Sequence, residues 1–210
     1  HGDCLEVLPQ LGTVDHVITA PPYDDRTAAG VRTSLTAKDS PIDFGSIIAA
    51  DIGPAMIGVS RRWVVAFCAM EQLGAYQAAD KSAWVRAGVW TKSNPAPQFT
   101  GDRPGQAAEG VAIMHREGKK RWNGGGSKAH WHSSRYTGPA LGHPTVKPLK
   151  LMRELVTLFT DENETVLDPF AGSGTTGRAC KDLGRKCILI EREEKYCDVI
   201  IRRMRQERLL

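Results

Sequence analysis

Apolar positions in this chain come in short blocks set apart by glycine, proline and polar runs, and their spacing predicts the elements. Residues 15–19 (DHVIT) read as a buried strand that runs into Ala20-Pro21-Pro22-Tyr23. Neither proline can donate to a sheet ladder, so the strand ends there and a loop begins. That loop, residues 24–40, is polar and rich in Gly, Thr and Ala. Residues 47–59 are apolar at helical spacing, broken by Pro54. Trp63–Cys68 (WVVAFC) is a second buried strand, and 71–80 reads as helix. Residues 89–92 and 111–114 read as strands flanking a long loop. Residues 119–136 (KKRWNGGGSKAHWHSSRY) form a basic, glycine-rich excursion.

Beyond Pro148 the pattern sharpens. Apolar residues at 149, 151, 152, 155, 156, 158 and 159 make one face of an amphipathic helix. Residues 165–167 form a strand ending at Asp168. Pro169-Phe170-Ala171-Gly172-Ser173-Gly174-Thr175-Thr176-Gly177 then leads into a helix that stops at Gly184. Residues 186–190 (KCILI) are the next strand, ending at Glu191, and 195–210 is a closing basic helix. Strand, glycine-rich turn, helix, strand is a βαβ unit, which predicts a parallel α/β sheet.

Composition narrows the class. With 210 residues and 41% hydrophobic content, the chain can build the core of one domain, which removes disordered and collagen-like architectures. No apolar run approaches the ~20 residues needed to cross a bilayer, and no basic-then-apolar leader is visible, so a cytoplasmic setting is expected. The five cysteines include no Cys-x-x-Cys pair and suit free thiols in a reducing compartment. His130-Trp131-His132 lacks a third ligand at a usual spacing, so no metal is expected. The net charge of +4 is mild, but its distribution is uneven. Arg116, Lys119, Lys120, Arg121, Lys128 and Arg135 face only Glu117 in their stretch and are interleaved with Trp122, Trp131 and Tyr136. Cations on phosphates with aromatics near bases would make residues 116–142 a DNA-facing loop, with 24–40 a second one.

Gly172-Ser173-Gly174-Thr175-Thr176-Gly177 matches G-x-G-x-x-G between a strand and a helix. Glycines there permit a tight turn and close approach of a ligand to backbone N–H groups at the helix start. Glu191, at the end of the next strand, can accept from both hydroxyls of a ribose. An adenosine-containing cofactor follows. A P-loop is excluded because Arg178-Ala179 stand where Lys-Ser/Thr would be needed. A nicotinamide dinucleotide stays open from the glycines alone. The acid at 168 and the aromatic at 170 suit a positively charged ligand such as S-adenosylmethionine better than a pyrophosphate.

Taken together, Gly2-Asp3-Cys4-Leu5, Asp15 to Tyr23, Trp90-Thr91-Lys92-Ser93-Asn94-Pro95, His143-Pro144-Thr145-Val146-Lys147-Pro148 and Asp168 to Gly177 resemble the amino-group DNA methyltransferases, N6-adenine and N4-cytosine, in their β-class order. The resemblance covers nearly the whole chain, read as a single domain over 1–210. It implies a mostly parallel seven-stranded sheet with helices on both faces, permuted so that the catalytic region is N-terminal and the cofactor region C-terminal. It implies S-adenosylmethionine as cofactor, double-stranded DNA as partner, and a bacterial or phage-borne restriction-modification setting. Asp168, Phe170, Ala171, Gly172, Ser173 and Gly174 would line the cofactor, Glu191 its ribose, and Thr145 and Lys147 its methionine end. Pro21, Pro22 and Tyr23 would hold the target base, with Asp3 close to it. A homodimer sharing the DNA surface is expected of so short a chain.

The chemistry requires an exocyclic amine to be drawn out of ring conjugation and aligned with a sulfonium methyl, on a base flipped from the duplex. Two acceptors, a side-chain oxygen and the first proline's carbonyl, would face the amine hydrogens while Tyr23 stacks on the base. The chain departs from the family at Ala20, where Asp or Ser is usual. Loss of one such group costs on the order of 10²–10³ in rate, so turnover is expected to be weak or absent with cofactor binding intact. Adenine is the favoured target because Asp is the commoner family residue there. The rivals are a non-catalytic DNA-binding member of the fold, an N4-cytosine enzyme, an RNA-modifying enzyme and, from the glycines alone, a nicotinamide-dependent oxidoreductase.

Overall fold

The computed structural model describes residues 1–23, 49–98, 101–138, 143 and 145–206; the loop read at 24–40 lies outside the described residues. Seven strands form one sheet in the order β5-β3-β4-β2-β1-β6-β7. They are β1 (His16–Thr19), β2 (Trp63–Cys68), β3 (Trp84–Lys92), β4 (Ala108–His115), β5 (His130–Ser133), β6 (Thr165–Asp168) and β7 (Lys186–Leu189). β4 is antiparallel to both its neighbours, and every other pairing is parallel. The sheet is therefore mostly parallel, with β4 reversed.

Six α-helices accompany it among the described residues: α1 (Cys4–Val7), α2 (Ala49–Val59), α3 (Leu73–Ala79), α4 (Leu149–Phe159), α5 (Thr175–Asp182) and α6 (Glu194–Arg205). The strands β1, β2, β4 and β6 are buried on both sides, as strands covered on two faces must be. Val17, Val64, Ala66, Met114 and Leu167 pack against Cys4, Leu8, Ile52, Met56 and Tyr76 from α1 to α3 and the turn after α1. Ile18, Val65, Phe67, Ile113 and Val166 pack against Leu151, Leu155, Val156 and Phe159 of α4 and Ala179 and Cys180 of α5 on the other face. No helix among the described residues is long and apolar enough to cross a membrane.

Three local expectations change. α2 continues through Pro54 because burial of Ile52, Met56 and Ile57 outweighs the lost backbone bond. β3 starts at Trp84, five residues earlier than its apolar signal at Val89 suggests. The basic excursion hides an edge strand, β5, parallel to β3 with Trp131 opposite Trp90. Trp131 is 2% exposed, and a Cβ on Gly88 would stand 2.8 Å from its ring. A glycine on the partner strand thus makes room for the tryptophan that anchors β5.

The order in which strands are added reverses between the parallel strands β1 and β6: β1 leads outward to β2, β6 leads outward to β7. The crevice beyond the C-terminal ends of those two central strands is the switch point where open α/β sheets bind ligands.

Candidate active site

Asp168 ends β6 and Thr19 ends β1. The Thr19 hydroxyl donates to Asp168 Oδ1 at 2.6 Å, the Thr176 hydroxyl to Oδ2 at 2.5 Å, and the Phe170 N–H to Oδ1 at 3.1 Å. Asp168 is fully enclosed. Burial raises its carboxyl above the usual range, opposed by the Thr176 and Thr19 hydroxyls. The acid expected to line a ligand is a buried hub that ties β1, the glycine-rich turn and the first turn of α5 together.

The three glycines have separate reasons. Gly172 (φ 51°) and Gly174 (φ 73°) turn the chain through left-handed conformations that disfavour a side chain. The space a Cβ would take at Gly172 is filled by His143, 2.9 Å from the built position, and at Gly174 by Ile200 of α6 at 3.1 Å. Gly177 lets α5 close on Leu189 of β7, where a Cβ would clash at 2.5 Å. Ala171 and Ser173 are buried beneath the turn and Phe170 is half-buried. Arg203 of α6, which the sequence reading missed, donates to the Ser173 carbonyl at 3.1 Å and to Thr175 Oγ1 at 3.0 Å, fastening the turn from behind.

Glu191 follows β7 and is half-buried. Its Oε2 accepts from the Gly172 N–H at 2.7 Å and its Oε1 from the Glu193 N–H at 2.9 Å. Each oxygen keeps a lone pair for a further donor. The Gly2 N–H donates to the Glu191 carbonyl at 3.0 Å, and Asp3 caps α1 by accepting from the Leu5 N–H at 2.8 Å. Asp3 was expected near the base. The structure sets it at the β7 end of the crevice, beside Glu191 and two strands from β1.

Ala20, Pro21, Pro22 and Tyr23 leave β1 at the same end of the sheet. Ala20 packs with Tyr23 against the α4 face of the core. The Tyr23 hydroxyl donates to Glu109 Oε2 of β4. Lys147 Nζ lies 2.9 Å from the same Oε2 and 3.2 Å from the Tyr23 oxygen, and Lys92 Nζ lies 2.7 Å from Oε1. The Lys147 ammonium also stands 5.3, 5.0 and 5.8 Å from the ring centres of Tyr23, Phe67 and Trp90. Burial favours the neutral acid at Glu109, but Lys147 and Lys92 overrule it and hold the carboxyl down at about 2. Burial and the Glu109 charge both push the Tyr23 phenol well up. Lys147, expected at the methionine end of a cofactor, reaches Tyr23. Thr145 is exposed, its N–H on His143 Nδ1 at 3.2 Å. His143 thus meets the glycine turn and Lys147 meets Tyr23. Glu109 and Lys92 were not singled out from the sequence; an acid inside an otherwise apolar β4 was the available signal.

The basic residues do not form one cluster. His115 pairs with Trp63, and the Arg116 N–H donates to the Arg62 carbonyl at 2.9 Å, at the N-terminal end of β2. Arg121 pairs with Asp161 at 2.5 Å, and its carbonyl takes the Trp63 indole N–H at 2.5 Å. Arg116, Lys119, Lys120 and Arg121 therefore lie beyond the end of the sheet opposite Asp168 and Tyr23, and Lys128, before β5, lies toward that same end. Arg135 follows β5 and lies at the crevice end, its Nε donating to the Asn94 carbonyl at 2.9 Å. No group of three or more His, Cys, Asp or Glu suited to a metal ion occurs among the described residues.

The sequence profile of the N6/N4 family described as DNA methylase matches residues 14–202. The type II methyltransferase M.HinfI of Haemophilus influenzae is 27% identical over 247 aligned positions, covering 98% of this chain and 67% of that protein. M2.LlaDCHI of Lactococcus lactis subsp. cremoris is 31% identical over 137 positions, covering 55% of this chain and 49% of that protein. The chain thus spans about half to two thirds of the length of these relatives. The crystal structure of an M1.HpyAVI–SAM complex matches with a TM-score of 0.72 at 26% identity, over 97% of each chain. The cytosine-N4-specific PvuII DNA methyltransferase shares the fold at 17% identity, with a TM-score of 0.71 over 100% of this chain and 86% of that one.

Proposed function

The chain belongs to the DNA methylase family of N6/N4 amino-group methyltransferases, and from that premise we propose that its crevice serves transfer of a methyl group from S-adenosylmethionine to the exocyclic amine of a base everted from double-stranded DNA, adenine N6 in preference to cytosine N4. The observation that carries the reading is the Thr19–Asp168 hydrogen bond of 2.6 Å. It sets the ends of β1 and β6 side by side, so that Ala20-Pro21-Pro22-Tyr23 and the glycine turn open on one crevice.

The residues fit the cofactor. Glu191 is braced by two backbone N–H groups on one side and can accept ribose hydroxyls on the other. Ile200 packs where the second glycine lacks a Cβ, a place left to the pyrophosphate in dinucleotide-binding turns, which speaks against a nicotinamide ligand. When bound, S-adenosylmethionine supplies an electrophilic sulfonium methyl. The Pro21 carbonyl accepts from the amine and turns its lone pair toward that methyl. Tyr23 gives the base a stacking face worth roughly 1–3 kcal/mol. Phe170 to Gly174 and Glu191 would hold that donor, and the proton the amine sheds on methylation would pass to solvent. Ala20 offers no second acceptor, and turnover is lower on the order of 10²–10³ than with an acid there. At the crevice end Arg135 is the phosphate-contacting cation we favour among the six.

Ala20 also supports a second reading, a DNA-binding member of the family that transfers no methyl. Tritiated methyl transfer to amplified, unmethylated genomic DNA, followed by nucleoside digestion, separates them. Ala20→Asp raises incorporation at least tenfold, into N6-methyladenine. Equal rates in the two proteins refute the role given to position 20, N4-methylcytosine reassigns the base, and no incorporation by either favours the second reading.

A further inference from the structure

Glu109 lies on β4, two strands from β1, yet its carboxylate collects the Tyr23 hydroxyl and the Lys147 ammonium on Oε2 and the Lys92 ammonium on Oε1. Lys92, Lys147 and Glu109 are all largely buried, their side chains 16%, 14% and 11% exposed. Replacing a buried ion cluster by packed apolar groups is often neutral or stabilising, so stability alone does not account for three charges here. What the cluster does have is geometry. Tyr23 follows two prolines at a strand end, and two side-chain torsions are left to set its ring. A hydroxyl held on a carboxylate, with an ammonium on that same oxygen lying against the Tyr23, Phe67 and Trp90 rings, removes that freedom. Preorganised groups spend no reorganisation at the moment of reaction.

We propose that Glu109 is a positioning residue for Tyr23. It fixes the plane on which the everted base stacks, and Lys147 on the same oxygen stands four residues from His143, whose ring lies against Gly172. The inference rests on the reading of Tyr23 as the base clamp. Glu109 touches neither base nor cofactor; it acts through the tyrosine hydroxyl.

The experiment uses the full chain labelled with ¹³Cζ-tyrosine, which gives four resonances, that of Tyr23 identified by Tyr23→Phe. Glu109→Gln moves the Tyr23 resonance and leaves the other three in place. In the Ala20→Asp background, Glu109→Gln lowers kcat for methyl transfer at least tenfold while S-adenosylmethionine affinity by calorimetry stays within twofold. Glu109→Asp, which keeps the charge, recovers part of the rate. An unmoved Tyr23 resonance, or a kcat within threefold of its parent, overturns the proposal. If Glu109→Gln does not fold, Tyr23→Phe removes the hydroxyl alone and must give the same split between kcat and affinity. A parent that neither binds S-adenosylmethionine nor transfers methyl sinks the reading of the site instead, and the resonance then decides the Glu109–Tyr23 coupling by itself.

Discussion

Thr19 donates to Asp168 Oδ1 at 2.6 Å across 149 residues of chain, both groups fully buried. One hydroxyl thereby joins the strand that leads into Ala20-Pro21-Pro22-Tyr23 to the strand that leads into the glycine turn. Thr19→Val keeps the shape and deletes the donor, leaving the buried carboxyl one partner short. Because the Phe170 N–H still serves Oδ1, unfolding in urea should show a loss of about 0.5–1.5 kcal/mol, the net worth of one hydrogen bond. S-adenosylmethionine affinity should fall with it, and Thr19→Ser should retain both.

Gly172 carries two constraints that can be pulled apart. Its φ of 51° strains any side chain, and a Cβ would meet His143 Nε2 at 2.9 Å. Gly172→Ala should lose about 1–3 kcal/mol by overpacking and backbone strain together. Adding His143→Ala should return only the packing part, so that a double-mutant cycle reads a coupling between the two sites. A coupling of zero would mean that His143 does not lie on the turn.

Acid should destabilise the protein in two steps. Burial first, then the charges of Lys147 and Lys195, hold the His143 imidazole down at about 4, below its ordinary 6.5. The unfolded chain therefore takes up that proton first, and the stability is present above pH 6.5 and lost as pH falls through 4. Glu109, held at about 2 against an ordinary 4.5, adds a second loss between pH 4.5 and 2. Denaturant midpoints measured against pH should show the upper limb flattened in His143→Gln and the lower limb flattened in Glu109→Gln.

Placement of the cations separates two DNA-binding outcomes. Lys119, Lys120 and Arg121 lie away from the crevice, Arg121 already paired with Asp161 at 2.5 Å. Replacing these three with alanine should leave the salt dependence of DNA binding nearly unchanged. Arg135→Ala should lower its slope by about one unit, the signature of one lost phosphate contact. The opposite pattern in a salt titration would return the 116–121 stretch to the DNA face.

The sequence by itself determined the parallel α/β class, the ends of β1, β2 and β6, and the turn from Asp168 to Gly177. Those features are local: apolar runs closed by proline or glycine carry their own boundaries. It also picked out Glu191, because strand ends beside a glycine turn are where such sheets bind ligands, while Tyr23 and the departure at Ala20 were legible only through the resemblance to the amino-group methyltransferases. The tertiary structure alone decided the rest. The basic stretch was divided between opposite ends of the sheet by β5, whose single apolar anchor, Trp131, has no period to read. Asp168 became a buried hub because Thr19 and Thr176 close on it from two other elements. Glu109 and Lys92 carried no signal of a site and Lys147 was placed with the cofactor, and only the tertiary fold brings all three to one tyrosine. Charges far apart in the chain acquire a role when a sheet sets them within hydrogen-bonding distance, and no local pattern encodes that distance.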